Sequence, residues 1–269
     1  MQPFFSPVSD GQRFCLFYQA HGGRAKGAIL YIHPFAEEMN KARRMAAMQS
    51  RALAIAGYDV LQIDLLGCGD SSGDFLDASW LAWREDVLEG YRRLRQRSEA
   101  PLYLWGLRAG CLLAAEVSEE LDESADFIFW QPVVSGKQHW QQFMRLKMAG
   151  EMVSGQAKAA GEQLRQKLAA GQPVEIAGYG IAPALAAGLE HAELKPPVSV
   201  VGRVLWLETS LRDDAALAPA AQKCIEHWQA AGYIVDARIT RGPAFWQTTE
   251  VEDAPELIAA TLAGLAVRA

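Results

Sequence analysis

Length, composition and charge narrow the classes of protein to which the chain can belong. It has 269 residues, of which 50% are hydrophobic and 22% are charged. This is enough apolar material for one large domain, and it excludes global disorder. The formal net charge of -6 argues against a general binder of nucleic acids or anionic membranes.

The four cysteines lie apart, without the spacing of a metal site or a redox motif: Cys15, Cys68, Cys111 and Cys224. Free thiols are therefore expected rather than a disulfide framework. The first residues lack the basic and apolar regions of a secretion signal, and no apolar run reaches membrane-spanning length. We expect a cytoplasmic protein with no membrane span, no metal and no cofactor.

Short apolar strands alternate with longer helical patterns, which predicts βα units on a mostly parallel sheet. Strands are predicted at 14–18, 27–33, 58–64, from 102 to the glycine turn, 126–131, 203–208 and 233–240. Helices are predicted at about 41–56, 80–97, from the glycine turn to about 121, 215–231 and from about 254. The predicted fold is an α/β fold.

The segment 133–197 differs from the rest because its composition is helical, with glycines that interrupt it repeatedly. We interpret it as a helical cap inserted into a core formed by residues 1–132 and 198–269. One partly apolar helical stripe in it contains Trp140, Phe143, Met144 and Met148. Core packing is the default interpretation of this stripe, and a cover over a hydrophobic ligand is the alternative.

The turn Gly106-Leu-Arg108-Ala-Gly110 follows an apolar strand and leads directly into an Ala/Leu-rich helix. This is the context in which the G-x-S-x-G motif presents a nucleophilic serine. Here the central residue is Arg108, whose guanidinium stays protonated and cannot attack a carbonyl group. The pattern predicts a strained corner with a permanent cation at its tip.

Two further motifs occur with this turn in a consistent order. His33-Pro34-Phe35 after a strand resembles the loop that supplies an oxyanion-hole amide in α/β-hydrolases. The stretch from Asp64 to Ser71 resembles the D-x-x-G-x-G-x-S loop of the same superfamily. The resemblance to α/β-hydrolases implies a mostly parallel central sheet flanked by helices, with a helical cap insertion.

A narrower resemblance is to the exosortase A system-associated hydrolase 2 group. It rests on the Arg108 turn, Trp130-Gln131-Pro132, and Gly178-Tyr179 followed by Pro183-Ala-Leu185. This resemblance implies a setting in bacterial PEP-CTERM protein sorting and exopolysaccharide systems.

The resemblance also locates the positions of a Ser-His-Asp triad. Arg108 occupies the nucleophile position, and Glu208 or Asp213 fits the position of the acid. The base should follow the last strand, where Ala244 or a neighbour stands instead of histidine. Without a nucleophile and a base there is no route for proton transfer, so ordinary esterase or lipase chemistry is not expected.

A cation at a helix N-terminus requires an anionic neighbour. Either an internal carboxylate pairs with Arg108, for which Glu37, Glu38, Glu208 and Asp213 are candidates, or a ligand supplies the anion. The internal pair is slightly favoured, because it requires no second molecule. The predicted ligand pocket contains His33, Phe35, Glu37, Glu38, Arg108, Ala109, Glu208, Phe245 and Trp246.

The remaining candidates have simpler interpretations. His33 fits a loop-stabilising hydrogen bond better than a general base, and Glu37 and Glu38 fit an interaction with the helix N-terminus. Cys111 and Cys68 fit buried thiols better than substitute nucleophiles. Asp64 and Asp70 fit turn-stabilising residues rather than metal ligands.

Three functional hypotheses follow from these residues. The favoured one is a catalytically degenerate hydrolase homologue that binds an anionic or acyl ligand, or a partner, around Arg108. The second is a hydrolase of esters or thioesters that uses an unconventional nucleophile or a bound water, with Cys68, His33 or acidic residues. The third is a scaffold whose pocket is filled by its own side chains.

Overall fold

A computed structural model describes residues 1–152, 157–198 and 201–266, and side chains within them except those of 146–152 and 157–160. The strands are β1 (Gln2–Val8), β2 (Gly11–Tyr18), β3 (Gly27–Ile32), β4 (Tyr58–Ile63), β5 (Leu102–Leu107), β6 (Ala125–Trp130), β7 (Val174–Ile176), β8 (Tyr179–Ile181), β9 (Arg203–Ser210) and β10 (Ile234–Arg241). The helices are α1 (Glu37–Ile55), α2 (Trp80–Arg95), α3 (Gly110–Val117), α4 (Gly136–Met152), α5 (Ala157–Ala169), α6 (Pro183–His191), α7 (Pro219–Ala230) and α8 (Pro255–Ala266).

Eight strands form one sheet in the order β1-β2-β4-β3-β5-β6-β9-β10. β1 and β2 run antiparallel to their neighbours, and the pairs from β4 to β10 are parallel. Every residue of β3, β5 and β6 is buried, which explains why these strands are continuous apolar runs. The predicted α/β architecture is confirmed.

Helices cover both faces of this sheet and divide the core into two apolar clusters. One cluster includes residues of α2, α3 and α7, and the other includes residues of α1 and α8. Because parallel strands end at the same edge, the loops after β3, β5, β6, β9 and β10 lie near one another. The residues predicted for the ligand pocket lie in these loops or directly beside them.

Two parts of the sheet structure differ from the prediction. β1 was not predicted, because Pro3 and Pro7 interrupt its apolar pattern; both are tolerated because β1 is an edge strand. The segment 133–197 was predicted to be helical, but β7 and β8 form a hairpin in it. Ala177 and Gly178 between these strands both have positive φ, as a tight two-residue turn requires.

The rest of the segment 133–197 is helical, in α4, α5 and α6. α4 packs on α5 and α6, and α6 packs on α2 of the core. Residues 153–156 and the side chain of Met148 lie outside the described part, whereas Trp140, Phe143 and Met144 are buried in the larger apolar cluster. The assignment of this segment as a cap stays a prediction.

Candidate functional site

The turn between β5 and α3 is a tight corner with Arg108 at its tip. Arg108 has φ 55°, in the left-handed region that side chains rarely adopt. A Cβ atom on Gly110 would lie 2.3 Å from the carbonyl oxygen of Ile32, and one on Gly106 would lie 2.6 Å from the backbone of Cys111. Both glycines are therefore required by the close approach of strand and helix.

Arg108 is paired with a carboxylate of the same chain. Its Nε donates to Oε1 of Glu38 at 3.2 Å, and its Nη1 donates to the carbonyl oxygen of Gln131 at 3.4 Å. The guanidinium carbon lies 5.5 Å from the ring centre of Trp246. Of the four candidate carboxylates, Glu38 is the one that contacts Arg108.

Glu38 reaches Arg108 because α1 begins directly after the loop that follows β3. Ala36, just before the helix, has φ 49°, and α1 starts at Glu37, four residues earlier than predicted. Glu38 thus lies in the first turn of α1, where the helix dipole also favours its negative charge. Burial raises the pKa of Glu38, and the nearby Arg108 opposes this shift.

An open cavity of about 400 Å³ adjoins this ion pair at the carboxyl ends of the strands. Its wall combines two aromatic rings with charged and amide side chains. The lining residues are Phe35, Glu37, Glu38, Lys41, Arg108, His139, Gln142, Phe143 and Gln247.

No protein-family model and no curated protein matches the chain. Solved structures do. A monoglyceride lipase from Saccharomyces cerevisiae aligns over 97% of this chain and 94% of its own, with 13% identity and a TM-score of 0.61. A carboxyl esterase from Bacillus coagulans aligns over 90% of both chains, with 12% identity and a TM-score of 0.60. A proline iminopeptidase from Mycobacterium smegmatis aligns over 99% of this chain and 98% of its own, with 14% identity and a TM-score of 0.59.

The chain has the α/β-hydrolase fold. At these identities the likeness concerns the fold alone. Serine hydrolases of this fold carry their nucleophile at a strand-to-helix corner of this kind, and the assignment of Arg108 to that position stays a prediction. Among the described residues, no helix is long and apolar enough to cross a membrane.

The two candidate acids have other partners in this α/β-hydrolase fold. Glu208 accepts from the indole N–H of Trp206 at 2.9 Å and from the amide of Gln131 at 3.5 Å. Asp213 pairs with Arg241 on the surface. The predicted alternatives in which Arg108 pairs with Glu208 or Asp213 are therefore wrong. Trp206 and Glu208 lie two residues apart on the same face of β9, so the indole can donate to this carboxylate.

Five residues predicted for the pocket do not line the cavity: His33, Ala109, Glu208, Phe245 and Trp246. Phe245 is buried and packs edge-on against Trp130 of β6. Trp246 is also buried and reaches the site through its contact with the Arg108 guanidinium. Ala244, at the expected position of the base, is packed against the core.

His139 lies beside Glu38 and was not predicted, because the search for a base was directed at the loop after the last strand. It comes from α4, and its Nε2 is 3.9 Å from Oε2 of Glu38. Neither ring nitrogen has a hydrogen-bond partner among the described residues, nor does Oε2 of Glu38. Burial and the charge of Arg108 lower the pKa of His139 to about 3, so the imidazole is neutral at neutral pH. The sequence contained one signal for its position: His139 lies four residues before Phe143, which places both side chains on one face of a helix.

His33 uses both ring nitrogens in the loops below the cavity. Its Nε2 accepts from the backbone N–H of Leu65 at 3.3 Å, so Nδ1 carries the proton and donates to the carbonyl oxygen of Pro34 at 2.8 Å. Burial lowers the pKa of His33. The ring holds two loops together and has no nitrogen free to act as a base.

The two candidate thiols are buried. Cys111 is fully enclosed in α3, with its Sγ 3.9 Å from the carbonyl oxygen of Trp130. Cys68 is enclosed in the glycine-rich loop. Burial raises the pKa of both thiols, which disfavours the nucleophilic thiolate.

The acidic loop after β4 is held by local hydrogen bonds. Asp64 pairs with Arg43 at 2.8 Å and accepts from the backbone N–H of Asp70 at 3.1 Å. The Ser71 hydroxyl donates to the Asp64 carbonyl oxygen at 2.6 Å. In the described part of the chain, no group of three or more His, Cys, Asp or Glu residues is arranged to hold a metal.

Proposed function

We propose that this α/β-hydrolase-fold protein binds an acyl ligand with a carboxylate head group through Arg108, without Ser-His-Asp hydrolysis. The observation that carries the proposal is a cation at the tip of the turn between β5 and α3. The Arg108 side chain is 13% exposed and lines the 400 Å³ cavity.

The contacts of Arg108 leave donors for a ligand. A guanidinium has five N–H groups, and the contacts with Glu38 and Gln131 engage only Nε and Nη1. Two parallel N–H donors match the geometry of a carboxylate. Lys41, also in the wall, adds a second positive charge.

The apolar part of the wall suits a hydrocarbon chain. Phe35 and Phe143 line the cavity with their rings 5.0 Å apart at nearly a right angle. An acyl chain along these rings would leave water while its head group stays beside Arg108. The two rings are the apolar part of a wall that is otherwise charged or polar, so they would hold the chain while the polar groups orient the head group.

Loss of standard catalysis is the second part of the proposal. It is supported by Arg108 at the nucleophile position and Ala244 at the base position. The burial of Cys111 and Cys68 also argues against a substitute thiolate. The acid position alone, with Glu208, provides no route for a proton.

The narrower resemblance supplies a proposed setting. The residues Trp130-Gln131-Pro132 resemble the exosortase A system-associated hydrolase 2 group, and we propose a cytoplasmic role alongside exopolysaccharide or PEP-CTERM systems. Gln131 has φ 42°, and its side-chain oxygen accepts from the N–H of Thr209 at 2.9 Å. This motif therefore shapes the loops beside Arg108.

Calorimetric titration with octanoate and with octanol tests the ligand hypothesis. We expect wild-type protein to bind octanoate in preference to octanol, and Arg108→Gln to weaken octanoate binding by roughly ten- to a hundredfold, the value of a hydrogen bond to a charged group. Arg212→Gln, which changes an exposed arginine that does not line the cavity, is the matched control. Equal octanoate affinity in wild type and Arg108→Gln would contradict the proposal.

A second candidate is a hydrolase that activates water, favoured by the pair of Glu38 and His139 at 3.9 Å in the cavity wall. The neutral imidazole of His139 could accept a proton from water, as a weak base because of its low pKa, and Arg108 would stabilise an oxyanion. Turnover of acyl esters or thioesters that is lost in His139→Gln would favour this candidate. A scaffold without a ligand predicts that Arg108→Gln changes the free energy of unfolding alone.

A further inference from the structure

The two edges of the eight-stranded sheet differ in how they are protected. β1 forms one edge and contains Pro3 and Pro7, which lack the backbone N–H that a new strand would need. β10 forms the other edge with eight residues and no proline. Its first residue, Ile234, is 64% exposed.

The direction of the backbone groups in β10 follows from its contacts with β9. The N–H of Ile234 donates to the carbonyl of Gly202, and the N–H of Gly242 donates to the carbonyl of Ser210. Even-numbered residues of β10 therefore face β9, and Val235, Ala237 and Ile239 direct their backbone groups away from the sheet. No described residue forms a hydrogen bond with the outward groups of these three.

We propose that β10 pairs antiparallel with β10 of a second copy of this chain, about a two-fold axis at Ala237. In this register Ala237 lies opposite its own copy and Val235 lies opposite Ile239 of the other chain. The outward N–H and C=O groups of Val235, Ala237 and Ile239 then all have partners. The two sheets join into one continuous sheet.

Charge complementarity favours this occupant, and it favours this register over the registers with the axis at Asp236 or Arg238. With the axis at Ala237, Asp236 of each copy lies directly opposite Arg238 of the other, in a non-hydrogen-bonded pair whose side chains are close. An axis at Asp236 would place two aspartates opposite each other, and an axis at Arg238 would place two arginines opposite each other. Both alternatives are disfavoured by like-charge repulsion.

The charges are already arranged for this pairing within one chain. Arg238 contacts Asp236 through Nε at 2.9 Å and Nη2 at 2.5 Å. Their side chains are 36% and 31% exposed. Two copies would bring these pairs together with each carboxylate beside two guanidinium groups. The surface is thus complementary to itself, as a two-fold interface requires.

The test is the oligomeric state of the full chain in sedimentation equilibrium. Wild-type protein should dimerise to twice its mass of 29.5 kDa. Asp236→Arg alone and Arg238→Asp alone should each weaken dimerisation by about tenfold or more, because two opposite-charge pairs become like-charge pairs. Asp214→Arg is the control, because Asp214 forms a similar ion pair with Arg212 on an exposed loop.

Mixing the two single variants separates this register from a general effect of charge or folding. In each variant alone, like charges at positions 236 and 238 lie opposite each other across the interface. In the mixture, the arginines of one variant lie opposite the aspartates of the other, so a heterodimer should form. Monomeric wild-type protein, a dimer that Asp236→Arg leaves as strong as before, or a mixture that stays monomeric would each overturn the proposal.

Discussion

Arg108 combines two locally unfavourable features at one residue. Its left-handed backbone costs about 1–3 kcal/mol in a residue with a side chain, and its positive charge lies at the N-terminus of α3, whose dipole disfavours it. Glu38 compensates for the charge through the ion pair, although both groups are largely removed from water. Truncating one partner would leave the other poorly satisfied, so the pair stabilises the site as a unit.

The pH dependence of stability tests the environment of His139. Its pKa is about 3 in the folded protein against 6.5 ordinarily, so folding favours the neutral ring. The stability that comes from keeping this ring neutral is complete above pH 6.5. As the pH falls from 6.5 towards 3, the free energy of unfolding decreases by up to about 1.4 kcal/mol per pH unit. Urea unfolding between pH 4 and 7 should therefore show a shallower decline for His139→Phe than for wild type. Parallel curves for the two proteins would show that His139 takes up a proton freely in the fold.

The turn between β5 and α3 is the element in which sequence and geometry are most closely linked. α3 starts two residues after Arg108, and its first residue, Gly110, approaches the backbone at the end of β3. This approach brings the cation at the end of β5 close to the loop that leads into α1. The ion pair with Glu38 depends on that approach.

Gly110→Ala tests this dependence. The new Cβ would lie 2.3 Å from the Ile32 carbonyl oxygen, so the backbone must shift, although alanine is the better helix former. We expect a loss of about 1–3 kcal/mol in the free energy of unfolding, typical of overpacking. In Gly180→Ala the nearest contact is the flexible end of Leu76 at 3.3 Å, so a much smaller loss is expected there. Similar losses in both variants would argue against the close approach.

At the scale of the whole molecule, the C-terminal helix is joined to the centre of the sheet by a buried polar contact. The indole N–H of Trp130 in β6 donates to the hydroxyl of Thr261 in α8 at 3.0 Å, and this hydroxyl donates to the carbonyl oxygen of Leu257 at 2.8 Å. Trp130 and Thr261 are both fully buried. One hydroxyl thus satisfies a donor that water cannot reach.

Thr261→Val keeps the shape of this side chain and removes its hydroxyl. The indole N–H would be left without a partner, which should cost about 1–3 kcal/mol in the free energy of unfolding. Thr261→Ser retains the hydroxyl and loses one methyl group, so it should remain closer to wild type if the hydrogen bond matters. Greater destabilisation in Thr261→Ser than in Thr261→Val would assign the effect to packing. Urea denaturation measures both variants.

Local patterns were sufficient for the architecture. The apolar runs of β3, β5 and β6 are buried on both faces, and their length and composition alone indicate a parallel sheet. The two glycines around Arg108 similarly indicated the corner, because only glycine tolerates such close backbone contact. The observed eight-stranded sheet confirms the predicted fold. β1 and the short hairpin were missed, since prolines and three-residue strands carry little periodic signal.

The sequence by itself determined the α/β fold and the presence of a permanent cation, Arg108, at the tip of the turn between β5 and α3. Glu38 was one of four candidate partners predicted from the sequence, but only the tertiary structure decided which of them contacts that cation. Glu38 is 70 positions from Arg108, and His139 comes from a helix outside the expected loop of the base. Their proximity depends on how α1, β5 and α4 pack in space. No local pattern contains that information, because it arises from contacts between elements remote in the chain.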